Sequence, residues 1–111
     1  MEISFGKRRL QKICEEHRAL QKEHGAACAK RISARLADLA AASTLEEFRH
    51  LPGGCHELDG DREGQLALKL PGGKRLIIRP TVDPMPTAEA GGLDWGAVEA
   101  VEIVDIVDYH D

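Results

Sequence analysis

The hydrophobic period of this chain changes once, near Pro52-Gly53-Gly54, and that change limits the fold more than any other feature. Before it, Leu10, Ile13, Cys14, His17 and Leu20 recur at three- and four-residue spacing, as do Cys28, Ile32, Leu36 and Leu39. Such spacing lines one face of a helix. It predicts helices over Lys7–His24 and Ala26–Ala42 with Gly25 as the stop between them, and helices joined by so short a link pack antiparallel. Ser43 and Glu46 have capping-box spacing and predict a short third helix, Thr44–His50. After the glycines the period drops to two. Leu66, Leu68 and Leu70 alternate with Gln65, Ala67 and Lys69, and Leu76 and Ile78 stand opposite Arg75, Ile77 and Arg79. The turn Pro71-Gly72-Gly73 makes Gln65–Leu70 and Lys74–Arg79 a hairpin. Further strands are expected at Met1–Phe5, Cys55–Leu58 and Ala100–Tyr109. The last carries Val101, Ile103, Val104, Ile106 and Val107 on both faces, the mark of an interior strand. Helices early and strands late specify an α+β domain, with helices packed on one face of an antiparallel-rich sheet.

A chain of 111 residues is one domain's worth, and it buries enough surface to fold without a metal or disulfide. Cys14, Cys28 and Cys55 are odd in number and lack CxxC spacing, which predicts a reducing compartment and a cytoplasmic protein. No apolar run is long enough to cross a membrane, and the opening MEISFGKRRL lacks the apolar stretch of a signal peptide. The net charge of −4 is unevenly distributed: residues 1–50 carry 10 Lys/Arg against 7 Asp/Glu, and residues 51–111 carry 5 against 12. That balance excludes a non-specific nucleic-acid coat but allows a local basic patch. Aromatic residues are 4%, too few for an array of stacking platforms. The connection Pro80–Gly96 is long for a compact domain, which marks it as functional or mobile, and Asp94 is placed to cap a turn running to Val98.

Common chemical signatures are absent: there is no phosphate-binding GxxxxGK[ST], no GxGxxG, no GxSxG and no HExxH. No Cys/His set has zinc spacing, so neither a metal nor another cofactor is expected. His17 falls in the apolar stripe of the first helix and is expected to pack there, while His24 and His50 lie near helix ends, where the dipole favours them. The residues left over sit on the late strands: His56, Arg75 and Arg79, and the run Asp108-Tyr109-His110. Imidazole and carboxylate move protons near neutral pH, and guanidinium neutralises charge on a phosphate, so their convergence on one sheet surface suits phosphodiester chemistry. The alternative is plainer: Arg75 and Arg79 pair with carboxylates on a solvated face, and the terminal residues carry no function.

The segment CHELDGDREGQLALKLPGGKRLIIRP, followed by VEIVDIVDYH, resembles the HigB-type killer toxins of the RelE/ParE superfamily. Those share a segment of the form HxLxGDRxGxWSIxVNxxWRIxFRF, a last strand ending VDYH, and two helices near the N-terminus. The resemblance runs over nearly the whole chain and is sharpest at His56, Gly60-Asp61-Arg62, Gly64, Arg75 and Val107-Asp108-Tyr109-His110. It implies a RelE-like fold, two N-terminal helices packed on a small, mainly antiparallel twisted sheet. It implies the toxin of a type II toxin–antitoxin module, an endoribonuclease that cleaves mRNA on the ribosome by metal-free attack of a 2′-OH on its own phosphate. By position, His56 and His110 become acid/base or phosphate-contacting groups, Asp108 a base or orienting group, Tyr109 a substrate-placing ring, and Arg75 the phosphate stabiliser. Arg62, Lys74 and Arg79 are substrate-binding candidates. The implied partners are a cognate helix-turn-helix antitoxin, mRNA on the ribosome, and a higher-order toxin–antitoxin complex, with no membrane.

This chain departs from the pattern in places. Asp59 stands where the family commonly has Lys, Leu66 and Lys74 replace its two tryptophans, and the connection Thr81–Glu99 is longer and more acidic. These departures motivate an alternative within the superfamily, a ParE-like gyrase inhibitor or a weakened toxin that chiefly binds its antitoxin. A third alternative, that the chain is itself the neutralising partner, has less behind it, because no helix-turn-helix or disordered tail is evident.

Overall fold

The computed structural model describes residues 1–108, so Tyr109 and His110 lie outside the described residues. The order is β1 (Glu2–Phe5), α1 (Arg8–Glu15), α2 (His17–His24), α3 (Ala26–Ala41), α4 (Leu45–Phe48), β2 (His56–Glu57), β3 (Leu66–Lys69), β4 (Lys74–Pro80) and β5 (Ala100–Asp108). The strands form one five-stranded mixed sheet in the order β1-β5-β4-β3-β2, in which only β1 against β5 is parallel. The domain is therefore α+β, as the change of period requires.

The helices pack on one face of the sheet. Leu20, Ile32, Leu39, Leu45 and Phe48 meet Leu66, Leu68, Leu76, Ile78, Val101 and Ile103 in one buried cluster. Each such side chain contributes about 1.5–3 kcal/mol of apolar burial. Gly25 ends α2 with φ 85 and the chain doubles back, so α2 and α3 form the expected hairpin.

Three expectations need correction. The helix predicted over Lys7–His24 is two helices, broken at Glu16, whose backbone is extended (φ −118, ψ 105). An unbroken helix would carry His17 into the middle of the apolar stripe, at the cost of burying a polar ring. The break instead starts a new helix at His17 and leaves that side chain exposed. The cap of α4 is Thr44, not Ser43: its hydroxyl accepts the Glu47 N–H at 3.2 Å, while the Glu47 carboxylate accepts the Ser43 N–H at 3.3 Å. Asp94 precedes a short 3-10 turn, Trp95–Ala97, but makes no side-chain cap.

β5 is interior, as its composition implied, yet its pattern has a second cause. The register jumps from Ile77↔Asp105 to Ile78↔Ile103, which makes Val104 the extra residue of a β-bulge. Val101, Ile103 and Ile106 then serve the helix side, while Glu102, Asp105 and Val107 take the register of the other face. That outer face is dry at its centre, since Ala67 and Ile77 are 1% and 0% exposed.

Candidate functional site

The outer face is built by cross-strand register. His56 lies opposite Ala67, and two residues along β3 Lys69 lies opposite Arg75. Opposed residues of an antiparallel pair point to the same side. His56, Lys69 and Arg75 therefore share the outer face, at the end where β3 turns into β4. Two strand spacings and two residues separate His56 from Arg75, about 12 Å between Cα atoms. Lys69 stands in that gap.

The turn before β2 organises this corner. Gly53 and Gly54 hold φ of 127 and 59, conformations that L side chains rarely adopt. Their carbonyls then point at the two residues that follow in the site. Gly53 O accepts the Lys69 N–H at 2.9 Å, and Gly54 O lies 3.0 Å from His56 Nδ1. A carbonyl can only accept, so this contact places the proton of neutral His56 on Nδ1. Nε2 is left as a lone-pair base on an exposed side chain. The Lys69 stem passes over Gly54: a methyl there would lie 3.7 Å from Lys69 Cδ.

The other candidates are placed differently. Lys74 and Asp108 are opposite one another, one residue out of step with the pair Arg75 and Val107, so alternation turns them to the helix side. Lys74 Nζ lies 3.2 Å from His24 Nδ1, at the C-terminal end of α2. Burial first, then the Lys74 charge, pushes the His24 pKa below its ordinary value, so His24 is a neutral acceptor for the ammonium. Arg75 Nη1 donates to the Lys74 carbonyl at 2.9 Å. Arg62 donates to Gln65 Oε1 at 2.9 Å, and its charge also reaches Asp105. Arg79 is clamped by Glu102 through contacts of 2.7 and 3.2 Å, which is the solvated ion pair of the plainer reading. The structure thus brings His56 and Arg75 to one surface, sets Lys74 and Asp108 on the opposite one, and engages Arg79 with a carboxylate. Tyr109 and His110 are outside the described residues.

Sequence reasoning missed several partners. Lys69 reads as the polar half of an alternating strand, and only register shows that it faces Arg75. Asp105 reads as an interruption in an apolar strand, yet it accepts from Lys7 at 2.8 Å. Burial would raise the pKa of Asp105, but the Lys7 contact, the Ile106 N–H and the Arg62 charge together hold it below the usual carboxylate range. Glu57, next to His56, anchors the long connection by accepting from Leu93 N at 3.0 Å and Trp95 Nε1 at 3.3 Å. Trp95 is buried, with the Arg49 guanidinium 4.0 Å from its ring centroid. The second half of that connection is thus built into the core on the helix side.

No protein-family model matches the chain, and no curated protein matches its sequence. Among the described residues, no helix is long and apolar enough to cross a membrane.

Proposed function

We propose that this chain is the toxin of a type II toxin–antitoxin module, a RelE-like, ribosome-dependent mRNA endoribonuclease acting in the cytoplasm. The observation that carries the proposal is the outer-face corner: an imidazole with its Nε2 lone pair free, beside two cations set directly across a strand pair. A base next to a cationic pair is what phosphodiester transfer requires. His56 Nε2 takes the proton of a ribose 2′-OH as that oxygen bonds to the adjacent phosphorus. The bond from phosphorus to the 5′-oxygen breaks, giving a 2′,3′-cyclic phosphate and a 5′-hydroxyl end. Lys69 and Arg75 stabilise the extra negative charge on the phosphoryl oxygens. The proton for the leaving oxygen comes from His110, which the family resemblance makes an acid/base or phosphate-contacting group. Asp108 and Lys74 lie behind the corner and act on it through β4 and β5. A cognate helix-turn-helix antitoxin is the expected partner.

A second reading, a ParE-like gyrase inhibitor or an antitoxin-binding module without nuclease activity, is favoured by the Glu102 clamp on Arg79, which removes one cation from the outer face.

Inducible expression in bacteria, with growth followed and mRNA 5′ ends mapped, separates the two. Growth arrest with in-frame cuts that disappear in His56→Ala and Arg75→Ala supports the nuclease. Arrest with DNA damage and intact mRNA supports the second reading. Unchanged cutting in both variants removes the proposed site.

A further inference from the structure

Among the described residues, Arg35 is the one buried charged side chain, with only 8% of the residue exposed. It sits on α3, at a position where the helix otherwise presents Ile32 and Leu39 to the sheet. One arm of its guanidinium is explained: Nη1 donates to Asp38 at 2.8 Å. The Nε is not, because it is buried with no hydrogen-bond partner. An orphaned buried donor costs about 1–3 kcal/mol, so something in the packing holds it there.

What lies against it is the two-glycine turn. A methyl built on Gly53 would meet Arg35 Cδ and Nε, both at 3.2 Å, and Leu68 at 3.5 Å. Gly53 therefore rests directly on the Arg35 stem, facing the helix layer, while Gly54 faces Lys69 on the outer side. The turn crosses the open end of the sheet with Arg35 as its floor. Both of its carbonyls are committed, Gly53 O to the Lys69 N–H and Gly54 O to the His56 ring.

We propose that Arg35 is a positioning residue: its buried stem supports the Gly53–Gly54 turn, and through the Gly54 carbonyl it keeps the proton of His56 on Nδ1 and the base on Nε2. This rests on the nuclease reading for its consequence but not for its geometry. Arg35 itself reaches no substrate. Without the floor, the turn relaxes, the Gly54 carbonyl leaves the ring, and His56 reverts to the Nε2–H tautomer that free histidine prefers. The base then points the wrong way.

The test reads the tautomer directly, by long-range 15N–1H correlation of the His56 ring in the full chain above its pKa. The wild-type ring carries its proton on Nδ1. In Arg35→Ala the two ring nitrogens exchange their protonated and unprotonated signatures, and cleavage of RNA falls about 10- to 100-fold, the loss typical of a displaced reacting group. Arg35→Met keeps the stem and keeps the wild-type tautomer. If Arg35→Ala fails to fold, Gly53→Ala gives the same reading, because its methyl pushes the turn off Arg35. A folded Arg35→Ala or Gly53→Ala that retains the Nδ1–H form overturns the proposal, and so does an Arg35→Met that loses it. If the tautomer moves as expected while His56→Ala still cleaves RNA, the positioning role stands and His56 is not the base.

Discussion

Lys69 and Arg75 face each other across β3 and β4, two like charges at directly opposed positions. Such pairs are unfavourable, and an opposite-charge pair at the same place contributes roughly 0.2–1 kcal/mol. Lys69→Glu removes the first and creates the second. The net gain is about 0.5–1 kcal/mol, which for a domain of this size raises the melting temperature by roughly 2–4 °C. The gain shrinks in 1 M salt, where the screening length falls to about 3 Å. The same change sets a carboxylate where the proposed phosphate sits, and loss of one preorganised charge-stabilising group costs about 100- to 1,000-fold in rate. The expected result is a more stable protein that no longer cuts mRNA. Calorimetry at low and high salt, beside cleavage of a translated message, checks both halves. A lower melting temperature refutes the like-charge argument, and wild-type cutting by Lys69→Glu refutes the site.

Core packing predicts that Phe48→Ala, at a side chain 1% exposed, costs about 3–5 kcal/mol, read as a shift of the urea midpoint. Glu57→Ala strips two donors of the long connection, Leu93 N–H and the Trp95 indole, at a cost of about 1–3 kcal/mol; Trp95 emission and amide exchange at Leu93 should both report a looser loop. His24 is held below its ordinary pKa of 6.5 first by burial, then by Lys74, against the opposing pull of Glu23 and Asp105. The unfolded chain then binds a proton near pH 6.5 that the folded one refuses, so stability falls as pH drops through that value and levels off below the folded pKa; His24→Asn should flatten that slope in denaturation curves at pH 5–8. Burial pushes the Cys14 thiol to about 11 and the Cys55 thiol to about 12. At pH 8 about one in 1,000 and one in 10,000 of them are thiolate, so alkylation of the folded protein should be slow, and rapid labelling at either would contradict the burial.

The fold was legible where local period and global packing agree. Leu66, Leu68, Leu76 and Ile78 alternate in the sequence and form the floor of the core. The helix break at Glu16 was not legible, because Leu10, Ile13, Cys14, His17 and Leu20 satisfy the helical period as well without it. What decides is the cost of His17 in the core, a tertiary quantity that spacing does not carry. The site was half legible for a similar reason. His56 and Arg75 stand out by residue type, but Lys69 becomes part of the site only through the β3–β4 register, and Arg35 only through the packing under Gly53. Arg79 stands out by type as well as Arg75 does, and the carboxylate that engages it lies 23 positions away on β5.

The bulge at Val104 decides which residues of β5 stand across from the outer-face residues of β4. Glu102 and Asp105 are three residues apart, so in a regular strand they would point to opposite sides. The extra residue sets both across from outer-face residues of β4; Glu102 engages Arg79 there, while Asp105 engages Lys7, the residue before α1. Two of the twelve acidic residues of positions 51–111 are thus paired with cations along the sheet. At the other end of β4 the register sets Lys69 across from Arg75 on one side and Val107 across from it on the other. Register in this way sets two basic side chains, Lys69 and Arg75, on the same face as His56 in a chain of net charge −4. Deleting Val104 takes out only the extra residue: Ile103 stays opposite Ile78, Asp105 opposite Ile77 and Val107 opposite Arg75, so the corner keeps its geometry. RNA cleavage should therefore survive in a folded chain that lacks Val104, and its loss there, with His56, Lys69 and Arg75 all present, would refute the register argument for the site.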